Sequence, residues 1–243
     1  EQQNKDITSS INSAKRIQYS LLPKTSEIGS HFEDFFLIFK PKDIVSGDFY
    51  WTHRIGNKLI LVLADCTGHG VPGAFMTILG INLLNQLVIE RQIDDPAQIL
   101  NGLNNELHKL LNHGTNMLTS DGMDALVVVF EGDSIEFATS GVALIHIHEE
   151  EFELYRSTKK GVDTELLDYE NKKIVLQDED QLYLITDGFQ KQFGVTVGRA
   201  QAHFAAVGTS VCGLRKSLGQ FGEVLACAGA AGHFGSAFVQ GNN

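Results

Sequence analysis

Leu59-Ile60-Leu61-Val62-Leu63-Ala64-Asp65-Cys66-Thr67-Gly68-His69-Gly70 is a run of apolar, β-forming residues that ends on an aspartate and breaks at once into a glycine turn. The run predicts a buried strand over about 58–64. Pro72 follows, well suited to the first turn of a helix that should continue to about Glu90. Phe75, Ile78, Leu79, Ile81, Leu84, Leu87 and Val88 cover much of that helix's circumference, so it should be largely buried. A second stretch repeats the device: Leu182-Tyr183-Leu184-Ile185-Thr186 closes on Asp187, with Gly188 behind it. A carboxylate where a buried strand meets a glycine turn can project into a cleft from a rigid backbone. Two of them, far apart in sequence, suggest a shared oxygen-ligand metal site.

Around these two stretches the pattern is mixed. Residues 5–22 read as a helix, with Ile7, Ile11, Ala14 and Leu21 in a stripe and Pro23 as the stop. It either packs on its own domain or serves as a coiled-coil connector from an upstream sensor domain. Residues 34–40 read as a strand and residues 96–112 as a second amphipathic helix. From 124 onward, Ala125–Phe130, Ile135–Thr139, Val142–His148 and Phe152–Arg156 read as strands joined by short turns such as Glu131-Gly132-Asp133. Hairpins around a helical pair indicate an α+β fold rather than a doubly wound sheet. They also leave no room for the regular βα alternation of a phosphoacceptor receiver domain.

At 243 residues the chain can form one sizeable domain, or a domain with an appended segment. A hydrophobic content of 43% and a charged content of 20% fit a soluble globular protein. No apolar stretch is expected to span a membrane, and no secretory signal pattern is visible. Glu1 in place of a starting Met suggests a fragment of a longer polypeptide. Cys66, Cys212 and Cys227 form neither a disulfide framework nor a zinc pattern, which favours the cytoplasm. A net charge of −11 leaves no basic stripe for nucleic acid, and bound cations would have to attract any phosphorylated substrate.

The composition changes abruptly at Val195. The last 49 residues hold four charged residues, Arg199, Arg215, Lys216 and Glu223, and more than a third of them are glycine or alanine. Neither a period of 2 nor one of 3.6 is sustained. This reads as 195–243 being a different sequence joined on, for instance through an altered reading frame, or as a small-residue packing segment.

Two further acidic elements stand at Ser46-Gly47-Asp48-Phe49-Tyr50-Trp51 and at Asp121-Gly122-Met123-Asp124. Two carboxylates about 4 Å apart repel by about 4 kcal/mol at an effective dielectric of about 20, so a cluster persists only if protons or cations neutralise it. Carboxylate ligands without His or Cys select hard ions, Mn²⁺ or Mg²⁺, over zinc. Two such ions can bind phosphoryl oxygens and activate water. Cys66 lacks a following arginine before Arg91, so a thiolate phosphatase loop is absent. His69 reads as a turn or helix-start residue.

Lys40-Pro41 through Asp48-Phe49-Tyr50-Trp51, then Ala64-Asp65-Cys66-Thr67-Gly68-His69-Gly70-Val71-Pro72-Gly73-Ala74-Phe75-Met76, Asp121-Gly122-Met123-Asp124-Ala125 and Leu184-Ile185-Thr186-Asp187-Gly188-Phe189 resemble, in order and spacing, the motifs of the SpoIIE-type metal-dependent protein phosphatases of the PPM superfamily. Ile17-Gln18-Tyr19-Ser20-Leu21-Leu22-Pro23 resembles the linker helix that precedes such domains. The resemblance implies a linker or coiled-coil helix at 1–23, a phosphatase domain at 24–194 and an atypical tail at 195–243. The fold it implies is an antiparallel β-sandwich flanked by helices. It further implies a binuclear Mn²⁺ or Mg²⁺ centre, with Asp65 bridging, the Cys66 carbonyl on the second ion, Asp187 on the first, and Asp48 holding metal-bound water. Asp121 or Asp124 would serve a weaker third ion. Water would attack phosphoserine or phosphothreonine, with Asp48 and Asp65 as the catalytic pair. The implied partner is a phosphorylated regulatory protein of the anti-sigma-factor-antagonist type, and the N-terminal helix offers a route to a homodimer.

The family ends on a further metal-ligand aspartate, yet no aspartate follows Asp187 here. Two readings therefore compete: a working serine/threonine phosphatase of a bacterial signalling protein, and an impaired domain kept as a binding or dimerisation module. The missing ending also predicts a central sheet without its last strand.

Overall fold

A computed structural model describes residues 1–112, 122–148, 151–157, 168–178 and 180–187, together with the backbone of 210–215. Its helices are α1 (Gln2–Leu21), α2 (Thr25–Gly29), α3 (Val71–Leu84) and α4 (Pro96–Asn112), and a π-helical turn, Asn85–Glu90, prolongs α3. Its strands are β1 (Asp34–Phe39), β2 (Asp48–Ile55), β3 (Lys58–Cys66), β4 (Met123–Glu131), β5 (Ser134–Ser140), β6 (Ala143–His148), β7 (Glu151–Tyr155), β8 (Lys172–Val175), β9 (Gln181–Ile185) and β10 (Ser210–Arg215). The strands build two antiparallel five-stranded sheets, ordered β1-β10-β9-β6-β7 and β2-β3-β4-β5-β8. This is the expected α+β sandwich. α2, β2, β8 and β10 add to the elements that periodicity predicts.

Two apolar layers around the site follow from strand alternation. Tyr50, Leu61, Leu63, Leu126, Val128, Leu182 and Leu184 point between the sheets. On the other face of β2–β4, Phe49, Trp51, Ile60, Val62, Ala64 and Val127 meet α3 and α4 through Ile81, Leu84, Leu87, Ile99 and Leu103. Strand β3 is thus covered on both sides, which is why its sequence is a continuous apolar run rather than an alternating one. Asp95 caps α4 by accepting the Gln98 N–H at 2.8 Å.

Two expectations need correction. Residues Val71–Glu90 are, by length and by a mean hydropathy of 1.4, long and apolar enough to cross a membrane. More than half of that stretch is buried within the domain, because α3 is a core helix. The sheet also has its late strand: β10, inside the Gly/Ala-rich segment, pairs with β1 (Leu37 opposite Cys212) and with β9 (Leu184 opposite Cys212). A strand needs only a few residues whose backbone can stay extended between two partners, and Ser-Val-Cys-Gly-Leu-Arg meets that without any longer periodicity.

Helix α1 meets the domain through Ile11, Ala14, Gln18 and the following Leu22, while residues 1–10 are exposed.

Candidate active site

The hairpin β2–β3 turns on Gly56 and Asn57 alone, with Gly56 at φ 59°. A two-residue turn fixes the register, and counting back from Ile55 opposite Lys58 sets Asp48 directly opposite Asp65. On the other side of β3, Asp124 of β4 stands opposite Asp65. Asp48, Asp65 and Asp124 share the parity of Tyr50, Leu63 and Leu126, so they point into the space between the sheets, at its end. Side chains directly opposed in this way have Cβ atoms about 5 Å apart. The second sheet contributes β9, where Leu182, Leu184 and Thr186 share the inward parity. The Thr186 hydroxyl donates to Asp48 Oδ2 at 3.1 Å, and Asp187 follows it.

The carboxyl of Asp65 is the electrostatic centre. Burial, then the charges of Asp48 and Asp187, push its pKa up to about 9, and Asp48 and Asp187 both hydrogen-bond to it. The structure therefore brings the predicted Asp48, Asp65 and Asp187 together from two sheets. Asp124 joins the row on β4, its carboxylate lying over the Cα of Gly141, where a Cβ would fall 2.0 Å from Asp124 Cγ. Asp121 lies outside the described residues.

The loop after Asp65 is held by backbone contacts. A Cβ on Gly73 would sit 2.7 Å from the Gly68 carbonyl oxygen and 3.1 Å from the Gly47 Cα, and one on Gly47 would sit 3.1 Å from the Cys66 carbonyl oxygen. Only glycine permits this approach of α3, the loop and β2. Thr67 and Gly122 lock the turn reciprocally: the Thr67 N–H donates to the Gly122 carbonyl at 2.9 Å, and the Gly122 N–H to the Thr67 hydroxyl at 2.7 Å. The Cys66 side chain is buried, and desolvation drives its thiol well above the usual range, so it offers no thiolate nucleophile. His69 is exposed and its Nδ1 meets Asp43 Oδ2 at 2.8 Å.

Two residues behind the site carried no sequence assignment. Gln18, fully buried on α1, donates to the Ser46 carbonyl at 2.6 Å and accepts the Ser46 N–H at 2.9 Å. The Thr77 hydroxyl of α3 lies 3.0–3.1 Å from the carbonyls of Ser46, Gly47 and Gly73 and shares its one proton among them. The backbone that presents Asp48 is thus held by two helices. A glutamine on the inward face of α1, beside Ile11 and Ala14, was the available signal for the first.

Among the described residues, no group of three or more His, Cys, Asp or Glu side chains is already arranged around a cation position. Asp48 and Asp187 instead lie against the Asp65 carboxyl, and their charges disfavour its ionisation. The donor set is still that of a hard divalent ion, and a divalent cation would relieve the strain that raises Asp65.

The profile of the family "Stage II sporulation protein E (SpoIIE)" matches residues 55–210, running from the β2–β3 turn past Asp187 to the start of β10. Among solved structures, the SiaA-PP2C domain of Pseudomonas aeruginosa superposes with a TM-score of 0.72 at 23% identity, covering 88% of this chain and 98% of that one. The PP2C phosphatase domain of SpoIIE from Bacillus subtilis, solved with a fragment of its regulatory domain, gives 0.55 at 18% identity over 74% of this chain and 62% of that one. The catalytic domain of the serine/threonine phosphatase PstP, in complex with two manganese ions, gives 0.53 at 12% identity over 76% and 98%. No curated protein matches the sequence. The fold is that of the PP2C-type serine/threonine phosphatases, and with more than half its length matched the chain belongs to the SpoIIE family.

Proposed function

We propose that the chain hydrolyses phosphoserine or phosphothreonine in a protein substrate, as the phosphatase domain of a bacterial signalling protein. The observation that carries this reading is the convergence of Asp48, Asp65 and Asp187 from two sheets on one end of the sandwich, where Thr186 holds Asp48. Asp65, Asp187 and the Cys66 carbonyl would hold two Mn²⁺ or Mg²⁺ ions, and Asp121 or Asp124 would serve a weaker third. Bound there, such ions would neutralise phosphoryl oxygens and activate water. The protein's own part is orientation: Thr186 fixes the Asp48 carboxylate, while Gln18 and Thr77 fix the backbone behind it. Its substrate on this reading is a small phosphorylated regulatory protein of the anti-sigma-factor-antagonist type, in keeping with structural neighbours such as the RsbU and RsbW domains of Rv1364c from Mycobacterium tuberculosis, and the cysteine usage, with neither a disulfide framework nor a zinc pattern, favours the cytoplasm.

The test is phosphate release from a phosphoserine protein. The chain should act only with Mn²⁺ or Mg²⁺, and Asp65→Asn should lose at least 100-fold. A folded, metal-loaded chain with no such activity, or one indifferent to Asp65→Asn, would sink the reading.

One observation favours a second reading, an impaired domain retained for binding or dimerisation. No aspartate follows Asp187, so the late strand β10 brings no carboxylate. Calorimetric titration separates the two: a high-affinity Mn²⁺ site counts for the phosphatase, and millimolar or no binding counts for the impaired domain.

A further inference from the structure

Strand β3 ends its pairing with β4 irregularly. Cys66 stands opposite Met123, so the next pair along the ladder would be Thr67 and Gly122, exchanging two main-chain bonds. One of these forms: the Thr67 N–H donates to the Gly122 carbonyl at 2.9 Å. In place of the other, the Gly122 N–H donates to the Thr67 hydroxyl at 2.7 Å, and that hydroxyl donates back to the Gly122 carbonyl at 3.1 Å. The side chain thus stands in for a main-chain carbonyl. The chain can then turn away at Gly68, φ 88°, without orphaning the N–H of the buried Gly122. A hydroxyl suits this task because it accepts and donates at once.

The consequence falls on Cys66. The Thr67 N–H and the Cys66 carbonyl belong to one planar trans peptide and point in opposite directions. Holding the N–H on Gly122 therefore aims the carbonyl oxygen away from β4, to the side of β2. There it lies beside Gly47, where a Cβ would fall 3.1 Å from it, and Gly47 is the residue before Asp48. We propose that Thr67 is a positioning residue for metal binding. Its hydroxyl fixes Gly122, Gly122 fixes the Cys66–Thr67 peptide, and the Cys66 carbonyl oxygen is thereby held ready as an ion ligand. This rests on the phosphatase reading.

The experiment compares wild type with Thr67→Val, which keeps the shape and removes the hydroxyl, and with Thr67→Ser, which keeps the hydroxyl. Thr67 is exposed, and Thr67→Ala removes the same group should the valine variant not fold. Three readouts are taken: amide hydrogen exchange without metal, calorimetric Mn²⁺ titration, and p-nitrophenyl phosphate hydrolysis as a function of Mn²⁺. In Thr67→Val the amides at positions 67 and 122 should exchange faster than in wild type. Its Mn²⁺ dissociation constant, and the Mn²⁺ concentration giving half-maximal rate, should rise roughly 10- to 100-fold, with the rate at saturating Mn²⁺ near that of wild type. Thr67→Ser should restore both the exchange and the affinity. Faster exchange with unchanged Mn²⁺ affinity makes the lock a purely structural turn and overturns the proposal. Exchange at position 122 unmoved by Thr67→Val, or a serine variant as weak as the valine one, overturns it too. Each of these results leaves the phosphatase reading intact. Wild type without Mn²⁺-dependent turnover overturns the phosphatase reading, and the proposal with it.

Discussion

The Thr186 hydroxyl donates a 3.1 Å hydrogen bond to Asp48 Oδ2, joining β9 of one sheet to β2 of the other across 138 residues of chain. A bond to a carboxylate contributes about 1.5–3 kcal/mol when intact. Thr186→Val keeps the shape and removes the donor. It should lower stability by about that amount, read by urea unfolding, and free the Asp48 side chain to rotate, read as weaker Mn²⁺ binding.

Asp65 gives the cation-free domain an unusual pH dependence. Its folded pKa, about 9, lies above that of an exposed aspartate, so the fold holds a proton that the unfolded chain releases. The associated stability is fully present below the ordinary carboxylate range and is lost as pH rises towards 9. The melting temperature without metal should therefore be lower at pH 8 than at pH 5. Asp65→Asn, which mimics the protonated form, should flatten the difference. Mn²⁺ should restore stability at pH 8 in wild type but not in the variant. A metal-free wild-type profile that is flat from pH 5 to 8 would count against the carboxyl coupling.

Gln18 couples α1 to the site through the Ser46 backbone. Gln18→Ala leaves the buried Ser46 N–H without its acceptor, at a cost of about 1–3 kcal/mol. Denaturation should show that loss, and Mn²⁺ titration should show weaker binding. Removal of the exposed first ten residues should change neither.

Gly73→Ala places a methyl against backbone, 2.7 Å from the Gly68 oxygen, where no flexible side chain can yield. Overpacking of this kind costs about 1–3 kcal/mol and should separate α3 from the loop. Gly132→Ala is the comparison: its φ is 57° but no atom lies within 4 Å of the new methyl, so only the backbone penalty of about 1–2 kcal/mol applies. Gly73→Ala should weaken Mn²⁺ binding and Gly132→Ala should not.

At the far end of β9, Asp180 is buried and accepts from the Gln177 N–H at 3.0 Å, and it pairs with His146 Nε2 at 2.8 Å and His148 Nδ1 at 2.5 Å. Burial alone would raise its carboxyl, but the Gln177 N–H and the two imidazoles outweigh that and hold it below the ordinary carboxylate range. Its contribution is present above that range and is lost as pH falls through the folded pKa. Asp180→Asn should destabilise the domain at pH 7 and lessen its loss of stability on acidification to pH 3, measured by thermal unfolding.

The elements that periodicity encodes were legible in the chain. Leu59 to Asp65 reads as a buried strand ending in a carboxylate, and so does Leu182 to Asp187, because burial on a strand or helix is a local pattern. The pairing of Asp48 with Asp65 needs the strand β2, which the acidic motif at Ser46–Trp51 does not announce by periodicity; once β2 is in place, the two turn residues Gly56 and Asn57 leave one register. The segment 210–215 defeated such reading: six residues are too few to show a period, and their role comes from lying between β1 and β9.

By itself, the sequence determined which residues carry charge and which strands end in aspartate. Only the tertiary structure decided that Thr186 reaches Asp48, that Asp124 stands opposite Asp65, and that Gln18 backs Ser46. Those contacts depend on how two sheets and a helix pack over separations of 28 to 138 residues. Nothing in local periodicity specifies that packing, because it is set by complementary side-chain volumes summed over the whole core.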